Sequence, residues 1–518
     1  MIRYIFLFLL GICFNGLAQD SLVRSKEITY LSDFERTHFT SYLKTKGKKE
    51  LISLFLSTSP DITSEKDEKI RKEIIALGNS LTFSGIQKKK PNRKISLTYD
   101  YIHQTSLRNY NLECRFEQIF TNGIYNCVTA SALYSIIFDD LGIPYEIKEK
   151  PTHVYLLAYP NVENIMVETT TPLFGYVNWP DEYKSKFVSV LKDQKIIGAD
   201  EAASKNSEEL FNKYYFASEN IDLPRLAGLH YINDAIFLKD KGDIKTAFQQ
   251  LEKSYLLYPS KRSEFLLMNF GAEIISSTKM KPKEKAVLIA KLSRYKAQGI
   301  TTDNIKSEFY QLGQEVLFKE NDKALYKECY QLIREGITDK EIADEIDFVY
   351  NYELGRAYFN QNNFRMAKPF YEKALKAQPK NLDVNGLFII VLTRSFKNLD
   401  NAALIDSVNY YHDKLPSLRD FNSFNTFYTG AYLFQSRNMF SRDDAVKGNK
   451  YLEVFESEWK LHDDLNITDN EIAMTYMEAT RYHLDQNQKS KAIEMLNRGL
   501  SITPNSVALQ DMKKYVVR

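Results

Sequence analysis

The sequence predicts an α+β N-terminal domain, helices plus a small antiparallel sheet, followed by an all-α solenoid. Three observations predict it. An apolar helical stretch from Cys127 to Leu141 is followed by three short β-like runs punctuated by Gly, Pro and Asn. From about Leu226 onward the periodicity is helical to the end of the chain. Within that helical part, one pattern with the same 12-residue spacing from Ala to Pro occurs three times.

Length and composition set the frame. At 518 residues the chain exceeds what one core supports, and two to four domains are expected. A formal net charge of +2 gives no reason to expect nucleic acid as a partner. Tyr (34) and Phe (32) outnumber Gly (20) and Pro (14), which favours packed helices over disordered tracts.

The first residues read as a secretory signal peptide, 1–19. Arg3 is the positive n-region, Tyr4 to Phe14 the short apolar segment, and Gly16-Leu17-Ala18 the small-x-small cleavage pattern. The mature chain is then exported, periplasmic or secreted after cleavage near Ala18, and later runs are too short to span a membrane. Cys13 leaves with the signal, so Cys114, Cys127 and Cys329 remain. Three is odd, so at least one thiol stays free or pairs between chains, and a Cys114–Cys329 bridge is one option. No Cys/His spacing suits zinc and no Gly-rich phosphate loop is present, so neither metal nor cofactor is expected.

Residues 20–225 form the first expected domain, with its core at 110–180. Amphipathic helices are expected near Leu31, near Lys49 and from Ser64, whose first turn is acidic. A basic break at Lys88–Lys94 reads as a solvated loop. Ala130, Leu133, Tyr134, Ile137, Phe138 and Leu141 fall at helical spacing, with Asn126 as N-cap and Gly142 just past the C-terminus. Strands are expected at Pro144–Lys148, His153–Ala158 and Asn164–Glu168.

Residues 226–518 form the second. Ala247, Leu251, Ser254 and Pro259 recur as Ala367, Tyr371, Ala374 and Pro379, and again as Ala492, Leu496, Gly499 and Pro504. Small residues let two helices approach, the large residue fills the gap, and the proline stops the helix. This pattern resembles the second helix of a tetratricopeptide repeat. Leu354, Gly355 and Tyr358 stand where that family carries its first-helix Leu-Gly and Tyr, with Asn351 in place of the frequent Trp. Roughly seven helix pairs are expected over this part, and a protein or peptide partner on the solenoid is what the resemblance implies.

Three residues carry the chemistry. Cys127 opens a helix, His153 opens a strand, and Glu168 closes another. A thiol at a helix N-terminus meets backbone N–H groups and the positive end of the dipole, which favour the thiolate. An imidazole beside it takes the proton, and a carboxylate on the second ring nitrogen fixes the tautomer. The Cys127 backbone N–H is the default oxyanion donor, with Gln118 or the Tyr125 hydroxyl as the second. His103 is a further ionisable residue nearby.

The segments Tyr125-Asn126-Cys127, Gly142-Ile143-Pro144, His153-Val154-Tyr155 and Glu168-Thr-Thr-Thr-Pro172 resemble the transglutaminase-like superfamily, a circularly permuted relative of papain-like cysteine hydrolases. That family reads Gly-x-Cys, Gly-Ile-Pro, His-Ala-Trp and Asp-Pro-Thr in the same order. Here Tyr125 replaces Gly, Tyr155 replaces Trp, and Glu168 replaces Asp. The resemblance implies acyl transfer on peptide or amide bonds through a Cys127–His153–Glu168 triad. Water as acceptor gives a cysteine peptidase or amidase; an amine gives a protein-glutamine acyltransferase. The alternative is a catalytically inactive fold that serves with the repeats as a protein-interaction scaffold.

Overall fold

The computed structural model describes residues 22–150, 152–170, 175–177, 180–193, 197–215, 219–277, 279–396 and 401–517. The signal-peptide reading, and Thr171 and Pro172 of the Glu168 segment, lie outside them. The described residues are mainly helical, with a two-stranded and a five-stranded sheet. It divides into two compact units, residues 1–279 with 297–299 and residues 280–296 with 300–518.

In the first unit, helices Asp33–Thr45, Lys48–Leu56, Ser64–Phe83 and Pro91–Thr105 precede the sheet. The basic segment is not loop throughout. Pro91 takes the first helical position, where its missing N–H costs nothing, and a helix starts within the charge run. The central helix runs Cys127–Leu141, bounded by Asn126 and by Gly142 at φ 63°. Nearly every residue of it is buried, so it is a core helix with no solvent face.

Seven short strands are present among the described residues: β1 Asn109–Tyr110, β2 Ile124–Tyr125, β3 Tyr145–Lys150, β4 His153–Ala158, β5 Ile165–Val167, β6 Tyr176–Val177 and β7 Glu219–Ile221. β1 and β2 form a parallel pair. The others form an antiparallel sheet in the order β6-β5-β4-β3-β7. Lys150 faces His153 in register, which puts His153 at the sheet's end. β4 lies against the Cys127 helix. Its Tyr155 and Leu157 cluster with Val188, Leu210 and Phe211 from helices Asp181–Asp193 and Ser207–Tyr215.

The first unit does not end at 225. Helices Leu223–Asp240, Ile244–Leu257 and Lys261–Ser277 belong to it. Buried polar bonds explain why. Lys253 lies 2.8 Å from Glu35, with both side chains fully buried. Glu35 also accepts from the Tyr231 hydroxyl at 3.2 Å and from the Leu31 N–H at 2.6 Å. Arg115 reaches buried Asp234 at 2.9 Å, and the buried His230 ring lies 3.1 Å from the Phe55 carbonyl. Such groups are tolerated inside only when paired, so the first repeat-like hairpin is bound to the N-terminal helices.

Among the described residues the second unit has helices and no strand. Five hairpins follow one another among the described residues: Thr302–Lys319 with Lys323–Gly336, Lys340–Asn360 with Phe364–Ala377, Leu382–Phe396 with Asn401–Lys414, Asn422–Ser441 with Ala445–Leu461, and Asp469–Asp485 with Lys489–Ile502. Helix Val507–Val517 ends the chain. The small-residue positions are close approaches. A Cβ on Gly355 would stand 2.9 Å from the Tyr371 ring, and one on Gly499 would stand 2.8 Å from Tyr476. Ala367, Tyr371 and Ala374 are fully buried, as are Ala492 and Leu496. No helix among the described residues is long and apolar enough to cross a membrane.

Candidate active site

Asn126 sets the first residue of the site. Its side-chain oxygen accepts the Thr129 N–H at 2.9 Å, and the Thr129 hydroxyl accepts the Asn126 N–H at 2.9 Å, closing a capping box. The Asn126 amide also donates to the Leu112 carbonyl at 3.0 Å, tying the helix start to the preceding loop. Cys127 is therefore the first helical residue, 8% exposed. With the Thr129 N–H capped, the N–H groups of Cys127 and Val128 have no intrahelical acceptor. Both residues line the cleft.

His153 stands between the thiol and the carboxylate. Its Nε2 lies 2.8 Å from Glu168 Oε2, and its ring shares the cleft lining with Cys127. The hydrogen bond with Cys127, then that with Glu168, pushes the imidazole up to about 9 against the opposing effect of burial. Burial raises Glu168, but the bonds from His153 and Thr170 outweigh it and hold the carboxyl below its ordinary range. A protonated imidazolium beside the Glu168 carboxylate is the favoured state of that pair.

Glu168 is itself held at three points. The Thr170 hydroxyl donates to Oε1 at 2.7 Å and the Thr170 N–H to the same oxygen at 3.2 Å. The Tyr99 hydroxyl donates to the Glu168 carbonyl at 3.1 Å, and the Glu168 N–H donates to the Gly175 carbonyl at 2.7 Å. Position 175 must be Gly, because a Cβ there would lie 1.7 Å from the Tyr99 ring.

The structure thus brings Cys127, His153 and Glu168 together. It does not bring Gln118 to them. The Gln118 side-chain oxygen accepts the Arg115 N–H at 2.8 Å, and the residue lines an adjoining polar hollow. Tyr125 is 2% exposed, its ring set edge-on to Tyr110 and His103. Val128, one residue inside the capped helix, lines the same cleft and was not among the sequence candidates. His103 is core: it packs on Tyr99 at 4.3 Å, and burial lowers its pKa to about 4. Cys114, Cys127 and Cys329 are all free thiols. Burial pushes Cys114 and Cys329 up to about 11.

The cleft in front of Cys127 encloses about 410 Å³. One wall is helix Leu223–Asp240, outside the sheet and the central helix. Its Asn233, Ile236, Phe237 and Asp240 face Leu112, Glu113 and His153.

No curated protein matches this chain. Two solved structures are similar at low identity. A tetratricopeptide repeat protein from Parabacteroides merdae is 16% identical, over 56% of this chain and 99% of that one, with a TM-score of 0.17. A monomeric IFIT1 mutant with m7Gppp-AAAA is 12% identical, over 59% of this chain and 64% of that one, with a TM-score of 0.15. The tetratricopeptide repeat model matches residues 349–381, the hairpin that carries Leu354, Gly355 and Tyr371.

Proposed function

We propose that this chain is an exported, transglutaminase-like cysteine hydrolase or acyltransferase acting on peptide or amide bonds. The observation that carries the reading is His153 held between Cys127 and Glu168. In the proposed reaction the Cys127 thiolate attacks the carbonyl carbon and a C–S bond forms, while the oxyanion takes hydrogen bonds from the Cys127 and Val128 N–H groups. The His153 imidazolium gives its proton to the leaving nitrogen as the C–N bond breaks, leaving a thioester. Water or an amine then attacks the thioester. His153 removes its proton, the C–S bond breaks, and the thiolate is restored. Glu168 keeps the ring oriented and stabilises its charge throughout. The repeats of the second unit would hold a protein or peptide partner.

The test is labelling of the purified mature chain with a thiol-reactive acyl probe between about pH 5 and 9. Labelling at Cys127 alone, abolished by Cys127→Ser, is expected; no labelling above that control overturns the catalytic reading. Export is checked by N-terminal sequencing, which should begin at Gln19 or Asp20.

A second reading is favoured by the repeat match at 349–381. Here the α+β fold is inactive and serves with the repeats as an interaction scaffold. Cys127→Ala would then keep every co-purifying partner and every cellular effect.

A further inference from the structure

The cleft in front of Cys127 has an apolar wall with no partner of its own among the described residues. Leu112 is 72% exposed and Ile236 is 42% exposed, and both line that cleft. Scattered exposed leucines need no explanation, but two large apolar side chains facing one hollow beside a thiol do. Phe237 stands next to them and is fixed in place. The Lys241 ammonium lies 3.7 Å from its ring centroid, and the Arg115 guanidinium lies 5.7 Å away. Behind this surface Leu229 and Ile232 are buried, 3% and 1% exposed, so the wall is backed by rigid core.

The charged residues of the cleft do not compete with this. Glu113, Glu149 and Asp240 are set against Lys150 and Arg262. Glu149 is already engaged, by the Tyr258 hydroxyl at 2.8 Å and by Arg262 at 3.4 Å. The Lys150 ammonium sits over the Tyr155 ring at 5.1 Å. Neither sign of charge dominates, so electrostatics selects no charged side chain, whereas the apolar wall selects an uncharged one.

The geometry points to an acyl substrate whose residue at the reacting carbonyl carries a branched apolar side chain, seated between Leu112, Ile236 and Phe237. This rests on the reading of Cys127 as the nucleophile. It assigns substrate selection to helix Leu223–Asp240, the first helix of the repeat-like part, and so explains why that hairpin is bound into the first unit by buried ion pairs.

Two measurements on the full chain separate the claims. Inactivation by N-acetyl-leucyl, N-acetyl-glutamyl and N-acetyl-lysyl chloromethyl ketones, each normalised to its rate with glutathione, reads selection at the thiol. The leucyl compound is expected to react about 10- to 100-fold faster. Ile236→Asp should erase that preference, and Leu112→Asp, at a still more exposed position, should do the same; thermal melting checks that both fold. Equal rates for the three ketones, or an unchanged preference in both variants, overturn the inference. Saturation-transfer NMR of N-acetyl-leucinamide and of N-acetyl-glutamic acid α-amide, which keeps its side-chain carboxylate, on the Cys127→Ala chain, needs no chemistry. Selective leucinamide binding that Ile236→Asp removes upholds the apolar seat even if the ketones fail to label. Absence of selective binding overturns it even if Cys127 is reactive.

Discussion

Thr170 holds one oxygen of Glu168 with both its hydroxyl and its backbone N–H, leaving the other oxygen to His153. A glutamate has one more rotatable bond than an aspartate, and these two hydrogen bonds from Thr170 are what remove the extra freedom. Thr170→Val deletes the hydroxyl but keeps the N–H. It should slow Cys127 acylation about 10-fold, the worth of one charge-assisted hydrogen bond at the lower end of its range. Thr170→Ser should retain most of the rate, which separates a positioning role from loss of bulk.

Glu168→Asp restores the acid that the resembled family carries, yet it should be harmful here. Shortening the arm by one C–C bond retracts the carboxylate by about 1.5 Å. A 2.8 Å contact with His153 then passes beyond hydrogen-bonding distance. The expected loss is about 100-fold in acylation rate, the usual cost of displacing a catalytic group by about 1 Å. Single-turnover kinetics with an activated acyl probe reads it directly.

The pH dependence follows from His153. Its pKa is raised from 6.5 to about 9 in the folded chain. A raised pKa stabilises the fold fully below the unfolded value and ceases to do so as pH rises through the folded one. The stability gap between wild type and His153→Gln should therefore be largest near pH 6 and shrink towards pH 10, measured by denaturant titration. Acylation should fall on the alkaline side near pH 9, where the imidazolium that protonates the leaving nitrogen is lost. Glu168 is held below the carboxylate range, so its contribution should persist until the solution is more acidic than about pH 4.5.

Lys253→Met should destabilise the first unit by about 3–5 kcal/mol, because it leaves the Glu35 charge buried without its partner. Glu35→Gln together with Lys253→Met should recover part of that loss, since the buried charge is gone while the single amide oxygen can still accept from one of the two donors, Leu31 or Tyr231. Denaturant unfolding of both variants checks it. For the same reason a fragment ending at residue 225 should fail to fold where one ending at 279 succeeds.

How much of this was legible in the sequence depends on how local the signal is. The Cys127 helix was readable to its ends, because Asn126, Gly142 and the apolar spacing between them are all local. β3, β4 and β5 were readable from alternation and turn residues. The two- and three-residue strands β1, β2, β6 and β7 were not, since pairing with a distant segment defines them more than their own pattern does. The unit boundary was missed because Glu35 and Lys253 look like surface charges until both are seen fully buried. The repeat hairpins carried one signal that went unused. Gly242, Asn321, Asn362, Asp443 and Asn487 all adopt positive φ at the turns between paired helices, one residue before the next helix cap. The candidate triad was readable by residue type and order, but the hold of Thr170 on Glu168 and the place of Val128 at the cleft follow from chain geometry that residue identity does not reveal.

The amide of Asn126 faces two ways, accepting from Thr129 and donating to Leu112. A carboxylate of the same shape could accept but not donate, and it would set a negative charge one residue from the thiol. Hydrolytic ageing of this single side chain to aspartate would leave the helix capped while releasing the 112–114 loop. Burial of Asn126 at 1% exposure keeps water from that amide, so the same packing that anchors the helix start also protects it from hydrolysis.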